Sequence, residues 1–317
     1  MHSHASVLAT LFNLCATLSG HVAQINNQTN EAITKGLALY NLGEFGQAKT
    51  YLTIGATSGD SVSQYALGEI TRRQAGSVTE DAKEWYLLAG AQGHVYALIR
   101  LGDADSLKKA KELAQAKADK GDAEAMLELY EMDQKIDTLK KAADAGSTEG
   151  KYILAVKYDK DQTLIADSSL RRATIDLLLQ TAAGAGLSKA MHWYANRPPV
   201  STNLPVRRQW LEKRAALNDL NGVLEYGYAL SGVYANDDGV DTQYGTTQDL
   251  VKGYGLIWLV IETTREFRRH TEARGNLAVI AEDMTPVQIT AGKAFAKQWE
   301  TSHSPMSEFR LSFNDAE

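Results

Sequence analysis

Apolar residues recur along this chain at helical spacing in stretches separated by short breaks, most of them marked by glycine. The clearest stretch begins at Ser63. Tyr65, Ala66 and Ile70 put bulk on one helical face, and Gly68 lets a neighbouring helix come close. After a break at Gly76, Ala82, Trp85, Tyr86 and Ala89 follow the 3.6-residue period, alternating large and small groups so that two antiparallel helices interdigitate. Gly93 tolerates the left-handed backbone that ends a helix, and a fresh apolar stretch begins directly after it.

The same corner returns at Gly59-Asp60, Gly121-Asp122, Gly146-Ser147 and Gly186-Leu187, and without glycine at Asn218-Asp219. Small residues precede each corner, as in Ala89-Gly90-Ala91 and Ala182-Ala183-Gly184, and an apolar first helix follows it. This recurrence predicts seven helical hairpins between Glu31 and about Arg269, an all-α repeat array. Valine and threonine are scattered and never collect into alternating runs, so a sheet has no candidate strands.

Two segments break the rhythm. Asn196 to Pro205 holds Pro198, Pro199 and Pro205 and reads as an extended loop inside the sixth hairpin. Gly232 to Asp249, rich in Asp, Gly, Thr and Tyr, replaces the short turn of the seventh. Further on, Thr285 as cap, Pro286 at the first helical position and Gln288 mark the start of a terminal helix. Its Ile289, Ala291, Phe295, Ala296 and Trp299 are placed to cover the last hairpin. The expected organisation is a signal peptide at 1–24, the array at 25–275, a capping helix at 276–302 and a loosely held tail at 303–317.

The N-terminal expectation rests on Ala5 to Gly20, an apolar stretch like the core of a secretory signal peptide, although His2 and His4 stand where Lys or Arg is usual. It is short for a membrane span and contains Asn13. Cleavage there implies a periplasmic or secreted protein; without it the chain is cytoplasmic. The single cysteine, Cys15, lies inside the stretch, so the processed chain would have no disulfide. Leu14 before Cys15 argues against lipid attachment.

Composition narrows the function classes. With 44% hydrophobic and 23% charged residues the chain has the make-up of a folded globular protein. A net charge of -6 argues against a nucleic-acid partner, which calls for a clustered basic face. The one basic knot, Arg265, Arg268, Arg269 and Arg274, is interleaved with Glu262, Glu266 and Glu272 and reads as a solvated, self-compensating helix.

The residues Ala82-x-x-Trp85-Tyr86-x-x-Ala89-Gly90-x-Gln92-Gly93-His94-x-x-Ala97, preceded by Gln64-Tyr65-x-Leu67-Gly68, resemble the Sel1-like repeat, a relative of the tetratricopeptide repeat. The other hairpins keep the spacing and the Ala and Gly positions but little else of the signature, and the start at Met284 to Ile289 resembles the terminal helix of bacterial members. The resemblance implies a right-handed α-solenoid of about seven Sel1-like hairpins with a C-terminal capping helix. It also implies an inner face, lined by first helices, that binds proteins or peptides in bacterial envelopes, secretion systems or host interaction. Exported members with one disulfide per repeat form a subgroup from which this chain departs, and the β-lactam-related activity suggested there does not carry over.

Catalytic constellations are missing from the sequence. The histidines His2, His4, His21, His94, His192, His270 and His303 show no metal-ligand spacing, and no cysteine pair exists. His94 sits at a corner and reads as a cap or a solvent-facing residue. Gly184-Ala185-Gly186-Leu187-Ser188-Lys189-Ala190 looks like a dinucleotide turn, yet no strand precedes it and it coincides with a repeat corner. Asp237, Asp238 and Asp241 lack the spacing of a helix-loop-helix calcium site and read as a solvated turn. No catalytic residue, metal or cofactor is therefore expected.

What remains is a binding face. Tyr130, Tyr158, His192, Tyr194, Glu225 and Tyr228 lie on first helices, where aromatic groups serve equally as partner anchors or as core. Asp237, Asp238 and Asp241 offer an acidic insert. The expected function is a non-enzymatic scaffold for a secreted effector or envelope protein. One alternative is an immunity protein that neutralises a toxic secreted effector, such as a type VI secretion lipase or a cell-wall enzyme, in the periplasm. Another is a cell-envelope hydrolase, for which the sequence supplies no acid and base pair.

Overall fold

The computed structural model describes residues 26–234 and 242–313, and among them it is helical, with an isolated bridge between Asp219 and Ser307 in place of any strand. The expected signal peptide, Cys15 and the acidic insert at 237–241 lie outside the described residues.

Among the described residues seven two-helix segments follow one another in sequence. They are, in chain order, α1 (26–41) and α2 (Phe45–Thr57), α3 (Ser61–Ala75) and α4 (Glu80–Ala91), α5 (Val95–Leu101) and α6 (Ala104–Ala118), and α7 (Ala123–Asp133) and α8 (Ile136–Ala145). The series continues with α9 (Thr148–Lys160) and α10 (Ser168–Gly184), α11 (Ser188–Ala195) and α12 (Leu204–Ala216), and α13 (Leu220–Ser231) and α14 (Leu250–Thr263). Two further helices, α15 (His270–Glu282) and α16 (Pro286–Ser302), follow.

The corners between hairpins are compound stop and start signals. At Gly93 the backbone turns left-handed (φ 85°), and the His94 amide reaches back to the Ala89 carbonyl at 3.2 Å, closing the end of α4. The same reach-back bond joins Asp60 to Gly55, Asp122 to Lys117, Ser147 to Ala142 and Leu187 to Ala182. Except at Leu187, the residue after the turn then caps the next helix. Asp60 accepts the Ser63 amide at 2.7 Å, Ser147 accepts that of Gly150 at 3.0 Å, and the His94 Nδ1 accepts that of Ala97 at 3.3 Å. Asn218 performs the turn without glycine at φ 55°, and its side chain is tied to the Trp299 indole and the Ser304 carbonyl.

By packing, the chain divides into two units, Met1–Tyr40 with Glu44–Arg100 and Asn41–Gly43 with Leu101–Glu317. In the first, a Cβ on Gly68 would meet the Tyr86 ring at 2.4 Å, so the absence of a side chain lets α3 and α4 close. There Glu69, with no exposed side-chain surface, is held by Arg72 (2.6 Å), Arg100 (2.8 Å) and the Tyr86 hydroxyl, which donates at 2.7 Å. Burial alone would raise the Glu69 carboxyl, but these partners outweigh it and hold it below the usual carboxylate range.

The second unit is built on several apolar clusters, two of them large. One runs through hairpins four to six and includes Tyr130, Leu139, Tyr158, Ile175, Leu179 and Met191. The other gathers α13 and α14 with Ile280, Met284, Ala296 and Met306. The capping box at Thr285 and Gln288 is formed, and Ile289, Phe295, Ala296 and Trp299 pack on this core while Ala291 faces solvent.

Three expectations change here. The basic knot is not one solvated helix: 264–269 is a connector, α15 begins at His270, and Arg269 stacks over Tyr228 at 5.2 Å. The division at 276 runs through α15. The stretch after His303 is bonded rather than loose, because Ser307 pairs with the backbone of Asn218 and Leu220 and Met306 is buried.

Candidate interaction groove

Corner geometry sets which side chains reach the first-helix face of the second unit. Tyr152 stands in the same register after its corner glycine as Tyr65 and His192 do after theirs. It meets Trp193 edge to face at 5.9 Å, and α7, α9 and α11 thereby line a cavity of about 470 Å³. Tyr130, Ile153 and Val156 add to its wall, with Lys157, Lys160, Lys189, Glu131, Glu149 and Asp159 around them.

Cations lie over several of the aromatic rings on and beside this face. Lys189 sits 4.7 Å over Tyr152 and is bonded to Glu149; Lys157 lies 6.0 Å over Tyr130. Arg197 lies 5.7 Å over Trp193 and is fixed there by Asp176 at 2.6 Å and Asp159 at 3.7 Å. Tyr194 and Trp210 meet at 90° and 5.5 Å, with Lys213 4.4 Å from the Trp210 ring. Such pairs hold rings rigid and leave edges for a partner.

A polar patch adjoins α11 and α13. Arg214 donates to the Ser188 hydroxyl (3.0 Å), pairs with Asp219 (2.8 Å) and lies 3.7 Å from Glu225. It also meets His192 Nδ1 at 3.1 Å, and because a guanidinium only donates, this nitrogen is the acceptor. Burial in the patch and the Arg214 charge push the His192 pKa below its ordinary value, although much of the residue stays accessible to water. Glu225 also faces Arg269 at 3.7 Å and accepts from the Tyr244 hydroxyl at 3.3 Å. Burial first and the Glu225 charge next raise the Tyr244 phenol. Ser188 and His192 are both held through Arg214.

The expected site residues fare differently. His192 and Glu225 share this patch, and Tyr194 is half-buried against Trp210. Tyr130, Tyr158 and Tyr228 are core residues at 3%, 6% and 0% exposure, Tyr130 touching the cavity from its wall and Tyr228 lying under Arg269. Asp237, Asp238 and Asp241 are outside the described residues. Sequence reasoning missed Tyr152, Trp193, Lys189, Arg214 and Tyr244; the register of Tyr152 after Gly146 was the available signal. Among the described residues no three His, Cys, Asp or Glu side chains are grouped to hold a metal, and no helix is long and apolar enough to cross a membrane.

No family model and no curated protein matches the chain. Among solved structures it is similar to a protective antigen present in uropathogenic Escherichia coli strains that displays an SLR fold. That match has 17% identity and a TM-score of 0.49, and covers 91% of this chain and 64% of that one. The chain thus spans under two thirds of that protein's length. It is also similar to a Sel1 repeat protein from Oxalobacter formigenes, at 15% identity and a TM-score of 0.35, over 67% of this chain and 93% of that one. Both likenesses fall on Sel1-type repeat proteins, while the all-α repeat architecture itself stands on the chain's own seven hairpins and their recurring corners.

Proposed function

We propose that this chain is a non-enzymatic scaffold that binds a partner polypeptide on the first-helix face of its second unit. The observation that carries this reading is the half-buried Tyr152 and Trp193 pair at the cavity spanned by α7, α9 and α11. Rigid aromatic rings flanked by fixed charges of both signs suit an extended segment that inserts apolar side chains and pairs its own charges at the rim. The apolar stretch Ala5 to Gly20 supports reading the scaffold as exported, to the periplasm or beyond.

A photo-reactive phenylalanine analogue placed at Tyr152, and separately at Leu177, tests the site in the chain's own cell. Leu177 is 64% exposed on α10 and serves as the contrast position. A discrete polypeptide adduct from position 152 and none from 177 is expected. Equal labelling at both, or none at 152, would refute the groove.

A further inference from the structure

The segment after α16 is pinned to the corner between α12 and α13 by a handful of contacts. His303 stacks on Trp299 at 4.0 Å, and the Ser304 carbonyl accepts from the Asn218 side chain at 2.7 Å. Met306 enters the apolar core at 5% exposure. The Ser307 amide donates to the Asn218 carbonyl at 3.1 Å, and its carbonyl accepts the Leu220 amide at 2.9 Å. The Glu308 and Phe309 amides both donate to the Asn41 carbonyl, at 2.7 and 2.9 Å.

This pairing sets Glu308 beside Asp219. Its Oε2 is enclosed and has no hydrogen-bond partner, while its carboxyl is bonded to Asn221. The charge that bears on it is that of Asp219, whose own partner is the Arg214 guanidinium at 2.8 Å. A carboxylate in such a place gains little from its neighbours and suffers both lost hydration and the Asp219 charge.

We propose that Ser304–Phe309 is a pH-dependent strap, docked while the Glu308 carboxyl is neutral and loosened when it ionises beside Asp219. Burial and the neighbouring Asp219 push the Glu308 pKa up to about 7. An acid whose pKa is raised in the docked state favours docking while protonated. Docking is therefore strongest below the ordinary carboxyl value of 4.5, weakens as pH rises toward about 7, and then levels. The strap grips the corner where Asp219 holds Arg214, so its release reaches the groups that place His192 and Ser188 on the first-helix face.

Hydrogen exchange on the full chain, read by mass spectrometry between pH 5 and 8 with each rate divided by its intrinsic value, tests this. Protection of 303–313 and of the Leu220 amide is expected to fall by roughly tenfold to a hundredfold across that range. Glu308→Gln is expected to remain protected and level, and Glu308→Met, also neutral, to behave alike. Met306→Ala, stripped of its anchor, gives the open reference at every pH. A level profile in the wild type, the same fall in Glu308→Gln, or wild-type protection at pH 5 no better than that of Met306→Ala would each overturn the strap.

Discussion

Glu69 shows what one side chain decides at this fold's interior. Its carboxylate has no exposed surface and collects two guanidinium groups and a phenol from three successive helices. Glu69→Gln leaves Arg72 and Arg100 without their counter-charge, and is expected to lower unfolding stability by about 3 kcal/mol in urea titration. Because the Glu69 pKa is depressed in the fold, its contribution is present above the ordinary carboxyl value and fades as pH falls through the folded one. The wild-type and variant curves should therefore converge in acid, and a constant gap would refute the account. At His192 the pKa is lowered as well, but here the neutral ring is the favoured form: it accepts from Arg214 and charges only below the ordinary histidine range. Arg214→Gln removes the adjacent positive charge and should raise the His192 midpoint in a nuclear magnetic resonance titration. An unchanged or lower midpoint would show that Arg214 does not set it.

At the scale of helices, the sequence was informative wherever one residue had to do a job no other residue type does easily. The corner glycines and Asn218 announce their turns because the left-handed backbone disfavours most side chains, and the Asp or Ser that follows announces a cap. Where the local signal was absent the reading slipped. Arg269 precedes α15 without capping it, so nothing in the sequence separated that helix from the basic connector before it. The segment after His303 is held by main-chain hydrogen bonds and one buried methionine, which composition does not reveal. Gly68 tests the packing of the best-marked hairpin. Gly68→Ala drives a methyl group to 2.4 Å from the Tyr86 ring, and is expected to cost about 1 to 3 kcal/mol by thermal or urea unfolding. Gly184→Ala is the control, since a Cβ there meets nothing within 4 Å; equal losses in both would mean that α3 and α4 are not closely packed at this point.

Across the molecule, the repeat rhythm told which helices come first in each hairpin but not which of their aromatic rings stay at the surface. Tyr158 and Trp193 both sit on first helices, and only the fold shows that one fills the core at 6% exposure while the other stays half-buried at the cavity. The reason is physical: short helices turned by variable loops rotate their faces by amounts that spacing alone does not record, as at the connector from Asn196 to Asn203, where a 3-10 turn at Val200–Thr202 replaces the extended loop the prolines suggest and Pro205 already belongs to α12. The binding face therefore rests on Trp193, Tyr152 and the ions that hold them, and its energetics can be separated from those of the core. Trp193 packs against Tyr152 and under Arg197, so Trp193→Ala removes a rigid anchor while Leu179 and Tyr158 keep the core between α9 and α10 filled. Against the polypeptide that crosslinks through position 152, the loss is expected to be on the order of 2 kcal/mol, roughly thirty-fold weaker binding by calorimetry. Leu177→Ser, on an exposed second-helix position, should bind as the wild type does. If the two variants exchange behaviours, the partner sits on the second-helix side and the aromatic groove is not where this chain does its work.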